Sequence, residues 1–207
     1  MNQTLLIKTA ALVTAVLTAA AAPAPARVLE IIVGITPSCP EGFMGCWGEA
    51  SQALRALEGV ESVATTPDTY NATASIHLKT EHLPDAEKWR AQFRKIFGER
   101  IGFRGVEVTV EGTLKSVGDA LLLDLSESPR PLQLAALENK LQWNFKKKRA
   151  RGPEEEERHA YTSLVAKTKS DPAKPLTVQL TGPLRISEGA SVLEVREFLV
   201  IEPEKPE

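Results

Sequence analysis

The sequence has few cysteines, few histidines and no excess of charge of either sign. Two cysteines allow at most one intrachain disulfide or one two-thiolate metal site, which excludes a scaffold built from disulfides and a zinc site with four cysteine ligands. The 25 Lys and Arg against 27 Asp and Glu give a formal net charge of -2, so no overall basic field favours nucleic acid. Motifs typical of serine hydrolases, phosphate-binding loops and paired-histidine zinc sites are also missing from the sequence. We therefore expect no nucleic-acid partner and no enzymatic activity.

The first 26 residues are typical of a secretory signal peptide. A polar start ends at Lys8, an apolar stretch covers residues 10–22, and Ala24-Pro25-Ala26 supplies the small residues of a cleavage site. The apolar stretch is shorter than the roughly 20 residues that a membrane-crossing helix needs. We predict cleavage after Ala26, no membrane span in the mature chain, and a periplasmic or secreted location, where disulfides persist.

The first half of the remaining chain alternates strand and helix patterns. A β-branched strand and a helix with apolar residues at helical spacing are followed by two strands, a second helix and a fourth strand. This β-α-β-β-α-β order is typical of a ferredoxin-like domain. The predicted elements cover residues 27–34, 48–57, 60–66, 72–78, 84–97 and 105–110.

The second half is rich in strand patterns and contains one helix. Strands are expected over residues 106–117, 120–125, 131–137, 176–180 and 191–201, and the helix begins near Pro153. This content is typical of a small Greek-key barrel of the OB type. The sequence thus predicts an α+β protein with a ferredoxin-like domain (27–104), an OB-like β-barrel domain with one helix (105–202) and a disordered tail (203–207).

A basic run at residues 146–151 is followed by four glutamates at 154–157. Because charges of opposite sign lie so close in the chain, we expect this segment to be solvated and charge-paired.

The stretch from Val33 to Val63 contains both cysteines and carries a family resemblance. Gly34-Ile35-Thr36 stands where heavy-metal-associated domains have Gly-Met-Thr, and residues 57–63, Leu-Glu-Gly-Val-Glu-Ser-Val, match their helix exit and second strand. Cys46 occupies the second cysteine position, at the predicted helix start. Residues 28–110 therefore resemble the heavy-metal-associated domain family of copper chaperones and mercury carriers, although here the spacing is Cys39-x6-Cys46 rather than Cys-x-x-Cys.

The resemblance implies a soft-metal site formed by Cys39 and Cys46. Thiolates select soft ions such as copper(I) or mercuric ion, and a thiolate at a helix N-terminus is favoured by the helix dipole. Met44 could add a thioether ligand. The bound cofactor would then be one copper(I) or other soft metal ion, and the protein a secreted metal binder or carrier.

A disulfide between Cys39 and Cys46 is the alternative. Two cysteines this close in an oxidising compartment commonly pair, and closing so short a loop stabilises a fold by about 2 to 3 kcal/mol. In that case no metal is bound, and the protein is expected to be an interaction module whose partner is another extracytoplasmic protein.

Overall fold

The structure, a computed structural model, describes residues 27–37, 42–80, 82–98, 100–118, 120–124, 131–170, 175–187 and 189–202. The predicted signal peptide (1–26), Cys39 and the tail (203–207) lie outside the described residues, so those three assignments stay predictions. The strands are β1 (Arg27–Pro37), β2 (Val60–Val63), β3 (Thr73–Leu78), β4 (Ile101–Val117), β5 (Ala120–Leu123), β6 (Leu132–Ala136), β7 (Trp143–Asn144), β8 (Arg149–Ala150), β9 (Thr177–Ser187), β10 (Ala190–Val195) and β11 (Glu197–Val200). The helices are α1 (Gly42–Arg55), α2 (Ala86–Phe97) and α3 (Glu155–Ser170).

The first six elements follow the predicted order, β1-α1-β2-β3-α2-β4. Their strands are antiparallel neighbours in the order β4-β1-β3-β2. Alternate residues of β1 are buried because successive strand side chains point to opposite faces, and they supply Ile31, Val33 and Ile35 to the core.

Helix α2 is defined by local signals. Asp85 caps its start by accepting a hydrogen bond from the Lys88 backbone N–H at 2.9 Å, as short polar residues do at helix N-termini. Trp89 and Phe93 lie one turn apart and are buried. Gly98 follows the helix with a φ of 60°, a conformation that glycine adopts without a Cβ clash.

The strands of the second half close on themselves. β4, β5, β6, β10 and β9 pair in that order, and β9 returns to pair with β4. The β6–β10 pair is parallel and the other pairs in this ring are antiparallel. Strand β11 extends the edge beside β9.

The predicted fold class, an α+β protein with a ferredoxin-like domain followed by a separate small OB-like barrel, is wrong. Strand β4 belongs to both halves, since residues 106–111 pair with β1 along one edge and with β9 along the other. In the described residues this sharing produces one mixed sheet of nine strands. The predicted boundary between residues 104 and 105 falls inside β4.

An irregularity within β4 lies at the predicted boundary. The register of β1 and β4 places Gly34 opposite Gly105 and Ile35 opposite Phe103, which leaves Arg104 without a partner residue on β1. Gly105 has a φ of 146°. An extra residue of this kind is a β-bulge, which redirects a side chain without ending the strand.

Candidate functional site

The residues predicted to bind a metal do not share one environment. Cys46 is 3% exposed and Met44 is 57% exposed, which agrees with their separation by two positions on a helix, because such residues point away from each other. Cys46 is not a free cysteine. Cys39 lies outside the described residues. In the described part of the chain, no group of three or more His, Cys, Asp or Glu side chains is arranged to hold a metal ion.

Helix α1 begins six residues earlier than predicted, at Gly42. Phe43 and Trp47 extend the apolar face of Ala50 and Leu54 by one turn, and all four are buried. The Trp47 indole N–H donates to the Thr65 carbonyl at 3.0 Å. Cys46 is consequently the fifth residue of the helix and lies inside it, just past the four unpaired N–H groups of the first turn, whereas the prediction placed it at the helix start.

A small hairpin, β7 and β8, packs near the start of α1. The Trp143 N–H donates to the Asn71 carbonyl at 3.0 Å, and Arg151 donates to the Tyr70 carbonyl at 3.3 Å while lying 4.0 Å from the Tyr70 ring centroid. The Phe145 ring lies edge-on to Phe43, with 6.4 Å between centroids. These contacts join a segment of the second half to the cysteine-bearing helix.

We define the basic turn as residues 145–149, the connection between β7 and β8 with its flanking Arg149. Asn144 Oδ1 accepts from the Lys147 N–H at 3.0 Å, and Lys148 adopts a φ of 49°. All five side chains are exposed.

The predicted charge pairing of this run does not form. Within the described ranges, no acidic side chain makes an ion pair with Lys146, Lys147, Lys148 or Arg149. The glutamates at 154–157 lie at the start of α3, where Glu157 bonds to Lys140 instead. Closeness in sequence therefore did not place these charges together in the fold.

Arg104, the bulged residue of β4, fixes the segment that precedes the hairpin. Its guanidinium donates to backbone carbonyls of Leu141 (2.9 and 3.1 Å), Ala72 (2.9 Å), Asn71 (3.2 Å) and Ile35. It also lies 5.2 Å from the Trp143 ring centroid. Burial lowers the pKa of Arg104 to about 10, so the group is charged at neutral pH.

Gly34 allows this arrangement. A Cβ at this position would lie 2.7 Å from Leu141 Cδ1 and 3.0 Å from Arg104 Nη2. Only a glycine lets Leu141 approach β1 so closely.

A second buried charge cluster fixes the same segment from the other side. Arg196 donates to Glu107 Oε1 at 3.1 Å and to Glu157 Oε1 at 3.5 Å. Lys140 donates to Glu157 Oε1 at 2.6 Å, and Gln142 donates to Glu107 Oε1 at 3.3 Å. The cluster connects β4, α3, the β10–β11 junction and residues 140–142.

The pKa values of the two carboxyl groups in this cluster are shifted in opposite directions. Burial raises the pKa of Glu107, and the opposing effects of Arg196 and Gln142 do not cancel it. Burial also opposes ionisation of Glu157, but hydrogen bonds from Lys140 and from the Glu154 N–H, together with the charge of Arg196, outweigh it and lower its pKa.

The sequence patterns predicted neither this hairpin, nor the hydrogen bonds of Arg104, nor the charge cluster around Arg196. The alternation of Trp143, Phe145 and the basic run was the available signal for an exposed amphipathic turn. The partners of Arg104 are mostly main-chain carbonyls, which no side-chain pattern reveals.

The described residues contain no helix that is both long and apolar enough to span a membrane. Comparisons of the chain with protein-family models, curated proteins and solved structures found no match. The similarity of residues 28–110 to heavy-metal-associated domains therefore stays a prediction.

Proposed function

We propose that this protein is a non-enzymatic, disulfide-stabilised protein-interaction module. In this proposal a Cys39–Cys46 disulfide fixes the segment that enters α1. The observation that carries the proposal is the state of Cys46, which is buried within α1 and is not free. Exposed apolar side chains surround the same region, namely Met44 on α1, Phe145 at the hairpin and Tyr70 in the turn that the hairpin contacts.

The environment of Cys46 favours a disulfide over a soft-metal site. A cysteine buried among apolar groups resists ionisation and is inert as a thiol, whereas metal ligation requires the thiolate. Met44 is exposed while Cys46 is buried, so the thioether gives little support to a shared site.

The first prediction concerns the thiol count. Protein purified from the periplasm without reductant, then denatured and titrated with a thiol reagent, should give no free thiol. Cys39→Ala and Cys46→Ala should each lower the free energy of unfolding by about 2 to 3 kcal/mol, because either one opens the same short loop. The double variant should cost little more than the single ones, while Met44→Ala, a matched change at an exposed position of the same helix, should leave stability nearly unchanged.

The metal-carrier function is the outcome that would overturn this proposal. Two free thiols in the purified protein, with tight binding of about one copper(I) or mercuric ion that both single variants abolish, would identify a two-thiolate site. Copper(I) or mercuric ion that fails to bind the unreduced protein would agree with a disulfide.

A further inference from the structure

We infer that the basic turn, residues 145–149, is a docking site for an acidic segment of a partner protein. This inference rests on the proposed function only in that it takes the protein to be an interaction module. It names the surface and the chemistry of the partner.

The basic turn carries charge that nearby acidic side chains do not compensate. Four consecutive cations, Lys146 to Arg149, are exposed in a protein whose formal net charge is -2. No acid of the described ranges pairs with them, although acidic residues follow closely in the chain. A concentrated patch of one sign attracts a segment of the opposite sign and speeds its association.

The hairpin that carries the basic turn is held in place on both sides. The hairpin is joined to the turn at residues 70–71 by the Trp143 N–H and by Arg151. The segment before it is held by Arg104 through Leu141 and by Glu107 through Gln142. A surface that is already ordered loses less conformational entropy when a partner binds.

Exposed aromatic side chains adjoin the basic turn. Phe145 is 40% exposed at the base of the cations, and Tyr70 is more exposed on the adjoining turn. Tyrosine and arginine, here Tyr70 and Arg149, are among the residue types that contribute most to binding at protein interfaces. An acidic segment that also contains an apolar residue would meet both features.

The geometry favours a protein partner over a lipid surface. Hairpins and helices that enter a bilayer present apolar residues at the depth of insertion. Here lysines form the turn, while the Phe145 ring lies against Phe43, so the aromatic is partly covered by its own protein. Nucleic acid is disfavoured because the basic turn is short and the whole protein is slightly acidic.

The test compares two variants that remove the same charge from different places. Lys146→Ser/Lys147→Ser/Lys148→Asn removes three lysines of the basic turn, and asparagine tolerates the positive φ at position 148. The control, Lys79→Ser/Lys95→Ser/Lys167→Ser, removes three exposed lysines elsewhere that make no ion pair in the described part of the chain. Circular dichroism and thermal unfolding confirm that both variants fold.

The probe is a short fluorescein-labelled peptide of alternating Glu and Ser with one central Phe, and binding is followed by fluorescence anisotropy. The full-length protein should bind it in a salt-dependent manner, and the turn variant should weaken binding by about tenfold, as the loss of several rim charges predicts. The lysine control should bind within about twofold of the parent. The same peptide with every Glu replaced by Gln should not bind.

Any one of three results would overturn the inference. Equal loss of binding in the turn variant and the control, or no binding of the acidic peptide, would show that the basic turn is not a docking site. Binding to phosphatidylcholine–phosphatidylglycerol vesicles or to single-stranded DNA, lost in the turn variant while the peptide fails to bind, would assign the turn to a different partner class. The thiol count decides the proposed function separately, because neither triple variant changes a cysteine.

Discussion

Replacement of Arg104 by alanine should lower the free energy of unfolding by about 3 to 5 kcal/mol, one of the two largest effects expected for a single change in this protein. The guanidinium satisfies carbonyl groups from β1, from the turn at residues 71–72 and from Leu141. Without it, the Ile35 and Leu141 carbonyls lose these donors, whereas the Asn71 and Ala72 carbonyls keep the backbone N–H groups of Trp143 and Ile35. Each buried group left unsatisfied costs about 1 to 3 kcal/mol. Urea unfolding at neutral pH measures the difference.

Two further variants separate charge from geometry at this position. Arg104→Lys should recover little stability, because an ammonium group presents its donors from one atom and cannot reach acceptors spread around a planar guanidinium. Arg55→Ala is the matched control, since Arg55 is exposed in the last turn of α1, and it should change stability by about 0.5 kcal/mol or less. A loss below about 1 kcal/mol for Arg104→Ala would contradict the assigned role.

Replacement of Arg196 by methionine should be comparably destabilising, by about 3 to 5 kcal/mol. Glu107 is 1% exposed, and without Arg196 its charge would be buried with Gln142 as its remaining hydrogen-bond donor among those described here. The combined variant Glu107→Gln/Arg196→Met removes both members of the pair and should regain most of the loss, because no uncompensated charge stays buried. A double variant no more stable than Arg196→Met would contradict this account.

The pH dependence of the Arg196→Met variant has a definite sign. A carboxyl group with a raised pKa in the folded state binds its proton more tightly there than in the unfolded chain, so stability falls as pH rises between the two pKa values. Loss of Arg196 removes an effect that lowers the pKa of Glu107, and therefore strengthens this trend. The variant should lose more stability relative to the parent near pH 8 than near pH 5, and Glu107→Gln in the same background should remove the difference.

Glu157 gives the opposite trend and serves as an internal check. Its lowered pKa means that its stabilising contribution is present above the unfolded pKa and is lost as pH falls towards the folded value. Glu157 keeps its contact with Lys140 in the Arg196→Met variant. Acid destabilisation of that variant should therefore persist at the low end of the pH range.

The local elements of the fold were predictable because their signals lie within a few residues. The apolar stripe of Trp89, Phe93 and Phe97 predicts α2, and the structure forms the helix there, although it begins at Ala86 after the Asp85 cap rather than at Pro84. The predicted start of α1 is too late because the apolar spacing that predicts the helix begins at Ala50, whereas packing of Phe43 and Trp47 extends the helix to Gly42. Tertiary packing therefore determines where α1 begins, because the local sequence preference there is weak.

The architecture was less predictable because it depends on which strands share an edge. Nothing near residue 105 indicates that β4 continues through a bulge and pairs with two strands at once. The candidate site was also not predictable from local patterns, because the hydrogen-bond acceptors of Arg104 are carbonyl groups of residues distant in sequence. The spacing of Cys39 and Cys46 is visible in the sequence, but the burial of Cys46 depends on the extension of α1 and could not be predicted.

Strand β4 also imposes an order on how the chain can fold during synthesis. Its residues 106–113 pair with residues 177–184 of β9, so most of the second half must be made before that edge is covered. Until then a long strand with exposed hydrogen-bonding groups is available to other chains, which is a route to aggregation. Pairings this distant in sequence also slow folding, because the intervening loop must close first. A nascent chain that stops after the first half would expose its longest strand, and a holding chaperone that covers extended segments would protect it.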